Sequence, residues 1–575
     1  MKIPVESAMN TISELLDGQA NLYTMDHRGT GRSFFLQCTA AQSFTDGSPS
    51  GVNVDPTEMP RCAQDLLFQI DNQTAAFSVT SAAKDMEYLT KHLNADDAET
   101  FVYGVSYGTY VTERLMHLAP SHIKGYIIDG VVPEDNPSFA TTNPDRVPPA
   151  KRLAQYCEQA PACAEMYKEL RAKHGDIYSA WLAIYRQLDS AKPGENACAD
   201  IFRQSNSSLV TVSDVFKMAI TQYPGDHVKR SLLPALLFRL SRCKDGDAAS
   251  IKALLGSAMD SPATPPSHTN GTTPQHHGNG TKANGTTTEP VGPAGPGAEG
   301  AAPRPAMFDV YAEMSPMLAG VIKASEMWST PSPSWSDEMR VIRNSSFPMF
   351  TFLDFVTVCA LRGDPKDPSC TAPRSTARWQ ETDMSAFASH LTPFVYKTDK
   401  YFQRFTKIPK GASVLVMNGK LDFATVSEGG VRQFGNMTGG GKIMVEFDYG
   451  GHGIALMPTS PLDDTSCGAQ IVASFVNVSG KVEKVDARCI ELLPDIHLLS
   501  DSELSTYIKD PEGFQFSNQS LLHNKTVGHV TVVPFDGKGA DDAATPGPAL
   551  RNGAVPASVA SAAVGMALLA LTSLV

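Results

Sequence analysis

The run Gly104-Val105-Ser106-Tyr107-Gly108 constrains this chain more than any other. An apolar, β-prone stretch, Thr100-Phe101-Val102-Tyr103, precedes it. A helical pattern, Tyr110 to Leu118, follows and stops at Pro120. A strand that turns directly into a helix through Gly-x-Ser-x-Gly has room only for small residues beside the serine. Such a turn lifts the hydroxyl clear of the sheet edge and aims the helix N-terminus at charge developing there. The motif alone is common by chance, and its rival reading is an ordinary Gly/Ser turn. Its strand–helix setting makes Ser106 a candidate nucleophile and the backbone N–H of Tyr107 a candidate oxyanion donor.

A serine nucleophile needs a base, and the base needs an orienting acid. Ser413-Val414-Leu415-Val416-Met417-Asn418 reads as a buried strand running into Gly419-Lys420-Leu421-Asp422. Lys442 to Phe447 reads as another, running into Asp448-Tyr449-Gly450-Gly451-His452-Gly453. Open α/β sheets place their sites just past the carboxyl ends of strands, where Asp422 falls. Glycines on both sides of His452 let the backbone turn sharply and present the imidazole. Ser106, Asp422 and His452 are therefore the candidate catalytic set. Their bland readings are a loop-capping aspartate and a surface histidine. Asp129, after the strand Tyr126-Ile127-Ile128, is a rival acid whose other reading is a brace at the sheet edge. Asp448 lies too near His452 in sequence to orient it. His27 lies in a turn that reads as structural, with Arg28 and Asp26 tying it down.

That turn, Asp26-His27-Arg28-Gly29-Thr30-Gly31-Arg32-Ser33, resembles the Asp-x-Arg-Gly-x-Gly-x-Ser turn of the prolyl-aminopeptidase family. Tyr103 to Tyr110 and Asp129-Gly130-Val131-Val132 resemble it too. Within the family, the chain is similar to the tripeptidyl-aminopeptidase-like branch of secreted serine exopeptidases. The Asp422 strand, Gly451-His452-Gly453, and the Cys467 and Cys489 pair around a helix-like Ala469 to Val478 resemble its C-terminal region. The likeness spans residues 12–133 and 395–490. It implies an α/β-hydrolase: a mostly parallel sheet with helices on both faces and a helical cap insertion. It implies Ser106 as nucleophile, His452 as base and then acid, and Asp422 as orienting acid. Peptides with a free N-terminus would be the substrates, and no metal or organic cofactor is needed. A cap carboxylate would hold the substrate ammonium. Glu134, Asp135, Glu326 and Asp354 are candidates, and Asp354, in the apolar stretch Phe352 to Val358, stands out among them, a salt-bridged structural role being its equal alternative.

The likeness begins late. Glu6 to Leu16 reads as an amphipathic helix with Met9, Ile12, Leu15 and Leu16 on its apolar face. Family members precede this helix with strands and a Gly-Gly-Pro-Gly-like loop that supplies the second oxyanion donor. Starting at Met1, this chain is expected to lack both, leaving a sheet edge unpaired. The favoured account is a mis-assigned start, and the rival is a degenerate relative. Met1-Lys2-Ile3-Pro4-Val5 has no signal-peptide core.

Residues 1–133 and 395–510 are thus expected to form the core, and residues 134–394 the cap. Cap helices are expected at Pro149 to Glu158, Ala164 to Ala172, Ile177 to Leu188, Val215 to Ile220 and Leu232 to Leu240. Residues 261–305 are rich in Pro, Gly, Thr and Asn and cannot bury a core; His276-His277 within them is a bland loop pair. Residues 511–553 read as a C-terminal extension. The apolar tail 554–575 reads as a GPI signal or a membrane anchor, and its third reading is no membrane role. Attachment at Asp542-Ala543-Ala544 leaves a suitable spacer, whereas Asn552-Gly553-Ala554 leaves almost none.

A net charge of −13 argues against nucleic acid as a partner. Sequence does not dictate the connectivity of the ten cysteines; taken only as sequential neighbours they offer Cys38–Cys62, Cys157–Cys163, Cys198–Cys243, Cys359–Cys370 and Cys467–Cys489. Glycosylation triplets start at Asn72, Asn206, Asn270, Asn279, Asn284, Asn344, Asn436, Asn477, Asn518 and Asn524. Together they favour the secretory route and the cell surface. The expected activity is that of a serine exopeptidase. A carboxylic ester hydrolase and a catalytically impaired surface binding protein are the alternatives.

Overall fold

The computed structural model describes residues 4–31, 33–38, 41–42, 54–55, 58–93, 98–203, 210–259, 315–371, 392–456, 466–511, 514, 528–534 and 564–569. In chain order the main elements begin with α1 (Pro4–Leu15), β1 (Ala20–Thr24), α2 (Met59–Gln69), α3 (Val79–Leu93), β2 (Glu99–Val105), α4 (Tyr107–Leu118) and β3 (Ile123–Asp129). Helices α5 (Val147–Gln159), α6 (Ile177–Ser190), α7 (His227–Arg242), α8 (Pro316–Glu326) and α9 (Phe352–Arg362) follow; all five fall in the expected cap, but α8 and α9 pack against the sheet. The chain then forms β4 (Ser413–Gly419), α10 (Ser427–Asn436), β5 (Gly441–Phe447), α11 (Cys467–Asn477), β6 (Gly528–Val533) and β7 (Val564–Leu569), with shorter helices between these elements.

The fold is α/β. Its seven-stranded sheet has the order β1-β7-β2-β3-β4-β5-β6, all parallel except β6, which is antiparallel to β5. The strand pleat divides the core into two layers. Phe101, Tyr103, Val105, Leu415 and Met417 pack on one face with Ile12 and Leu16 beside α1 and with Ile471 and Phe475 of α11. Val102, Ile128, Val414 and Val416 pack on the other with residues of α2, α3, α4, α8 and α9. Near-continuous apolar strands follow from burial on both faces. On α1, Ile12 and Leu16 are buried as the pattern predicts, whereas Leu15 turns to solvent.

A separate apolar core holds the cap together, with Trp181, Phe216, Leu233 and Leu236 at its centre. Four of the predicted cap helices form near their expected bounds. The fifth, Ala164 to Ala172, is broken at the buried Tyr167, whose hydroxyl donates to Pro234 O at 2.6 Å. The sequential cysteine pairs form five disulfides. Residues 261–305, including His276-His277, lie outside the described residues.

Two C-terminal segments differ from the sequence reading. Within the expected extension 511–553, β6 completes one edge of the sheet, and Ile443 registers with Val532. Within the apolar tail, β7 lies between β1 and β2, so that Leu22 and Phe101 both register with Met566. A strand from the far end of the chain therefore joins β1 to β2, and β1 stands at the end of the sheet. No helix among the described residues is long and apolar enough to cross a membrane. Deleting residues 554–575 strips β1 and β2 of their shared neighbour. Thermal denaturation is expected to show a melting temperature ~5 °C or more lower. An unchanged value would show that β7 contributes nothing to the sheet.

Candidate active site

Ser106 stands between β2 and α4 with φ 57° and ψ −128°. A non-glycine residue held there stores ~1–3 kcal/mol of backbone strain. The close crossing of α4 over β2 enforces it. A Cβ on Gly104 would lie 2.3 Å from Gly108 O and 2.4 Å from Thr112 Oγ1, so only glycine fits. Ser106 N–H donates to Asp129 O at 3.0 Å, and Ser106 O accepts from Thr109 N and Oγ1. Tyr107 opens α4, so its N–H has no intrahelical acceptor.

The structure brings Asp422 and His452 together. His452 Nδ1 lies 2.8 Å from Asp422 Oδ2. Asp422 is 1% exposed, and it also accepts from Ala424 N at 2.7 Å, Thr425 N at 2.8 Å and Thr425 Oγ1 at 2.8 Å. Burial opposes its ionisation, but the charge and hydrogen bond of His452, with the Thr425 donors, hold it below the ordinary carboxylate value. Burial also disfavours a charged imidazole. The charge and hydrogen bond of Asp422, with Asp129 behind, raise His452 above its ordinary value. The two loops meet at Gly419, where a Cβ would lie 2.3 Å from Gly451 O.

His452 abuts the end of β3, since a Cβ on Gly130 would lie 3.1 Å from its Nδ1. On the Ser106 side, a Cβ on Gly453 would lie 3.3 Å from Val105 Cγ2. Among the described residues, Ser106 Oγ makes no hydrogen bond to the imidazole. Such contacts often tighten only with substrate bound.

Asp129 has a different place from its rival reading as the orienting acid. Its buried carboxylate accepts from Tyr103 OH at 2.8 Å, Ile454 N at 2.9 Å and Ala455 N at 2.8 Å. It braces the His452 loop against β2 and β3. Asp448 pairs with Lys420 at 2.7 Å. His27 is fully buried, with Nδ1 2.6 Å from Arg28 O and Nε2 3.5 Å from Tyr107 OH. Arg28 grips Asp85 through two bonds, at 2.6 and 2.5 Å, and also donates to Ala76 O. Asp26 lies beneath Gly31, where a Cβ would meet its carboxylate at 2.7 Å.

Beside Ser106 opens a cavity of about 140 Å³. Val131, Val132, Phe139 and Met327 give it apolar walls, and Asp145, Thr425, Glu428 and Arg432 give it polar ones. None of the four carboxylates expected to hold an ammonium lines it. Glu134 binds His117 at 2.8 Å, Thr406 N at 2.6 Å and Gln433 at 2.8 Å. Asp135 pairs with Arg432 at 2.8 Å. Glu326 binds Arg114 at 2.9 Å and Tyr396 OH at 2.5 Å. Asp354, the favoured one, pairs with Lys323 at 2.6 Å.

Asp145 and Glu428 occupy the cavity instead, and sequence reasoning missed both. Asp145 accepts from Thr141 Oγ1 at 2.9 Å, and burial, with the Glu428 charge adding to it, raises its carboxyl above the ordinary value. Glu428 Oε1 binds Arg152, while its Oε2 is buried without a partner. No local signal marks either residue, because neither belongs to a motif.

No protein-family model matches the chain, and no curated protein matches it.

Burial pushes the His27 imidazole down to about 4, against the help of its bond to Arg28 O. The unfolded chain takes up that proton near pH 6.5, whereas the folded chain does not until about pH 4. Stability present above pH 6.5 is therefore lost as pH falls toward 4, by ~3 kcal/mol at most. Urea unfolding at pH 7 and pH 5 is expected to show a decline about 2 kcal/mol smaller in His27→Gln than in the parent. Equal declines would show that His27 takes up its proton folded as readily as unfolded.

Proposed function

We propose that this chain is a serine hydrolase of the α/β-hydrolase type that cleaves peptides near a free N-terminus. One observation carries the reading: the Asp422–His452 pair lies against Gly130, next to Asp129, whose carbonyl holds the N–H of the strained Ser106. In this mechanism His452 takes the Ser106 proton as Oγ attacks the scissile carbonyl, and Asp422 stabilises the imidazolium. The Tyr107 N–H receives charge on the carbonyl oxygen. The imidazolium then protonates the departing amine. Water, deprotonated by His452, hydrolyses the acyl ester and returns the proton to Ser106.

Asp145 and Glu428 support the free N-terminus as the recognised group. Both line the cavity beside Ser106, and the arginine that lines it with them, Arg432, is already paired with Asp135. The apolar walls favour the second reading, an ester hydrolase, and the two readings part on the amine.

The five disulfides support an oxidising, secretory setting. So do the exposed asparagines Asn72, Asn344, Asn436 and Asn477, each of which opens a glycosylation triplet. Anchoring through residues 554–575 remains part of the proposal, in competition with β7 for the same residues.

A fluorophosphonate probe is expected to label the native protein at Ser106 and to leave Ser106→Ala unlabelled. Absence of labelling in folded protein would overturn the enzyme reading and favour a binding protein. Asp422→Asn is expected to slow turnover by ~10⁴-fold. The acid limb of kcat/KM is expected above pH 6.5, because His452 must be deprotonated and its pKa is raised. Glu428→Gln and Asp145→Asn are expected to raise KM at least ~10-fold for a peptide anilide with a free amine. They should leave the blocked analogue little changed. Equal effects on both substrates would favour the ester hydrolase.

A further inference from the structure

The cap does more than cover Ser106. It holds the two loops that carry Asp422 and His452, and it does so through backbone carbonyls. Arg230, on α7, is 4% exposed. Its Nη1 donates to Leu421 O at 3.1 Å and to Pro224 O at 3.3 Å, and its Nη2 donates to Tyr449 O at 3.0 Å. Leu421 immediately precedes Asp422, and Tyr449 lies in the turn leading to His452. One guanidinium therefore spans both loops.

Neighbouring contacts follow the same pattern. On α5, Arg152 Nη1 donates to Lys420 O at 3.0 Å and Tyr156 OH donates to Asp448 O at 3.1 Å. Leu421 and Phe423, which flank Asp422, are buried in the apolar core of the cap rather than in that of the sheet. Arg146 stacks its guanidinium over Phe423 at 5.6 Å.

Burying an arginine without a carboxylate partner is costly unless its donors find acceptors. Burial brings Arg230 down to about 10, with the charges of Asp226 and Asp422 working the other way. Its planar fork suits two diverging carbonyls, which a lysine ammonium cannot span in the same way.

We propose that Arg230 is a positioning residue that sets the spacing between the Asp422 and His452 loops, so that seating of the cap and assembly of the pair are one event. This rests on the reading that the pair activates Ser106. A consequence is that α7 cannot swing away to admit substrate without dismantling the pair. Substrate enters instead through the cavity between the start of α5 and α10.

The test uses the full chain with Arg230→Met and Arg230→Lys. Hydrogen exchange is followed in peptides covering residues 419–428 and 448–455, beside labelling of Ser106 and turnover. In Arg230→Met both loops are expected to exchange faster while β4 and β5 keep their protection. Labelling and kcat are expected to fall ~10–100-fold with KM within about twofold, as for a small misplacement of catalytic groups. Arg230→Lys, which keeps the charge and one donor direction, is expected to fall between Arg230→Met and the parent. Unchanged loop exchange with labelling within about twofold of the parent would overturn the proposal. If Arg230→Met does not fold, Arg230→Lys decides by the same two readouts. A parent protein that fails to label sinks the hydrolase reading alone, and the exchange data still decide whether Arg230 fixes the loops.

Discussion

The site depends on one buried carboxylate held chiefly by neutral donors. Asp129 receives three donors, from Tyr103, Ile454 and Ala455, and its own carbonyl receives Ser106 N–H. Burial raises its carboxyl above the ordinary value, and the three donors and the nearby His452 offset that only in part. The backbone of Asp129 thus fixes the serine turn, while its side chain fixes the loop after His452. Two parts of the chain more than 300 residues apart are held in register by this one residue. Losing the carboxylate would leave two buried N–H groups without acceptors, a larger effect than loss of a surface pair.

The strain at Ser106 persists because its surroundings over-determine it. The tight crossing at Gly104 fixes the helix above, and the bond to Asp129 fixes the strand side. Meanwhile the acid and the base hang on loops whose flanking residues are packed into the cap. The architecture therefore divides the work. The sheet sets the serine, the cap sets the Asp422–His452 pair, and Asp129 joins the two. At the seam the cavity beside Ser106 takes Asp145 from one side and Glu428 from the other.

What the sequence made legible was local. Gly104 to Gly108 carries its own geometry, and the strands before Asp422 and His452 announce themselves by apolar runs that lead into glycine-bearing turns. The cysteines paired with sequential neighbours, so no long-range knowledge was required. The carboxylates misled for the opposite reason. Nothing near Glu326 in sequence shows that Arg114, 212 residues away, neutralises it. Nothing near Asp354 shows that Lys323 holds it. An acid's availability depends on its partner, and partners are chosen by the fold.

The tail was ambiguous for a physical reason. Val-Gly-Met-Ala-Leu-Leu suits a lipid-facing segment and a parallel strand buried on both faces equally well, because both environments select apolar residues and neither selects a period. The two outcomes differ in where the backbone hydrogen bonds go. As β7, the segment exchanges them with β1 and β2. In a bilayer it must satisfy them within itself as a helix. One segment cannot do both, so drawing it into lipid exposes the edge of β2, the strand that ends at Ser106. Anchoring through this tail and completion of the sheet therefore exclude one another.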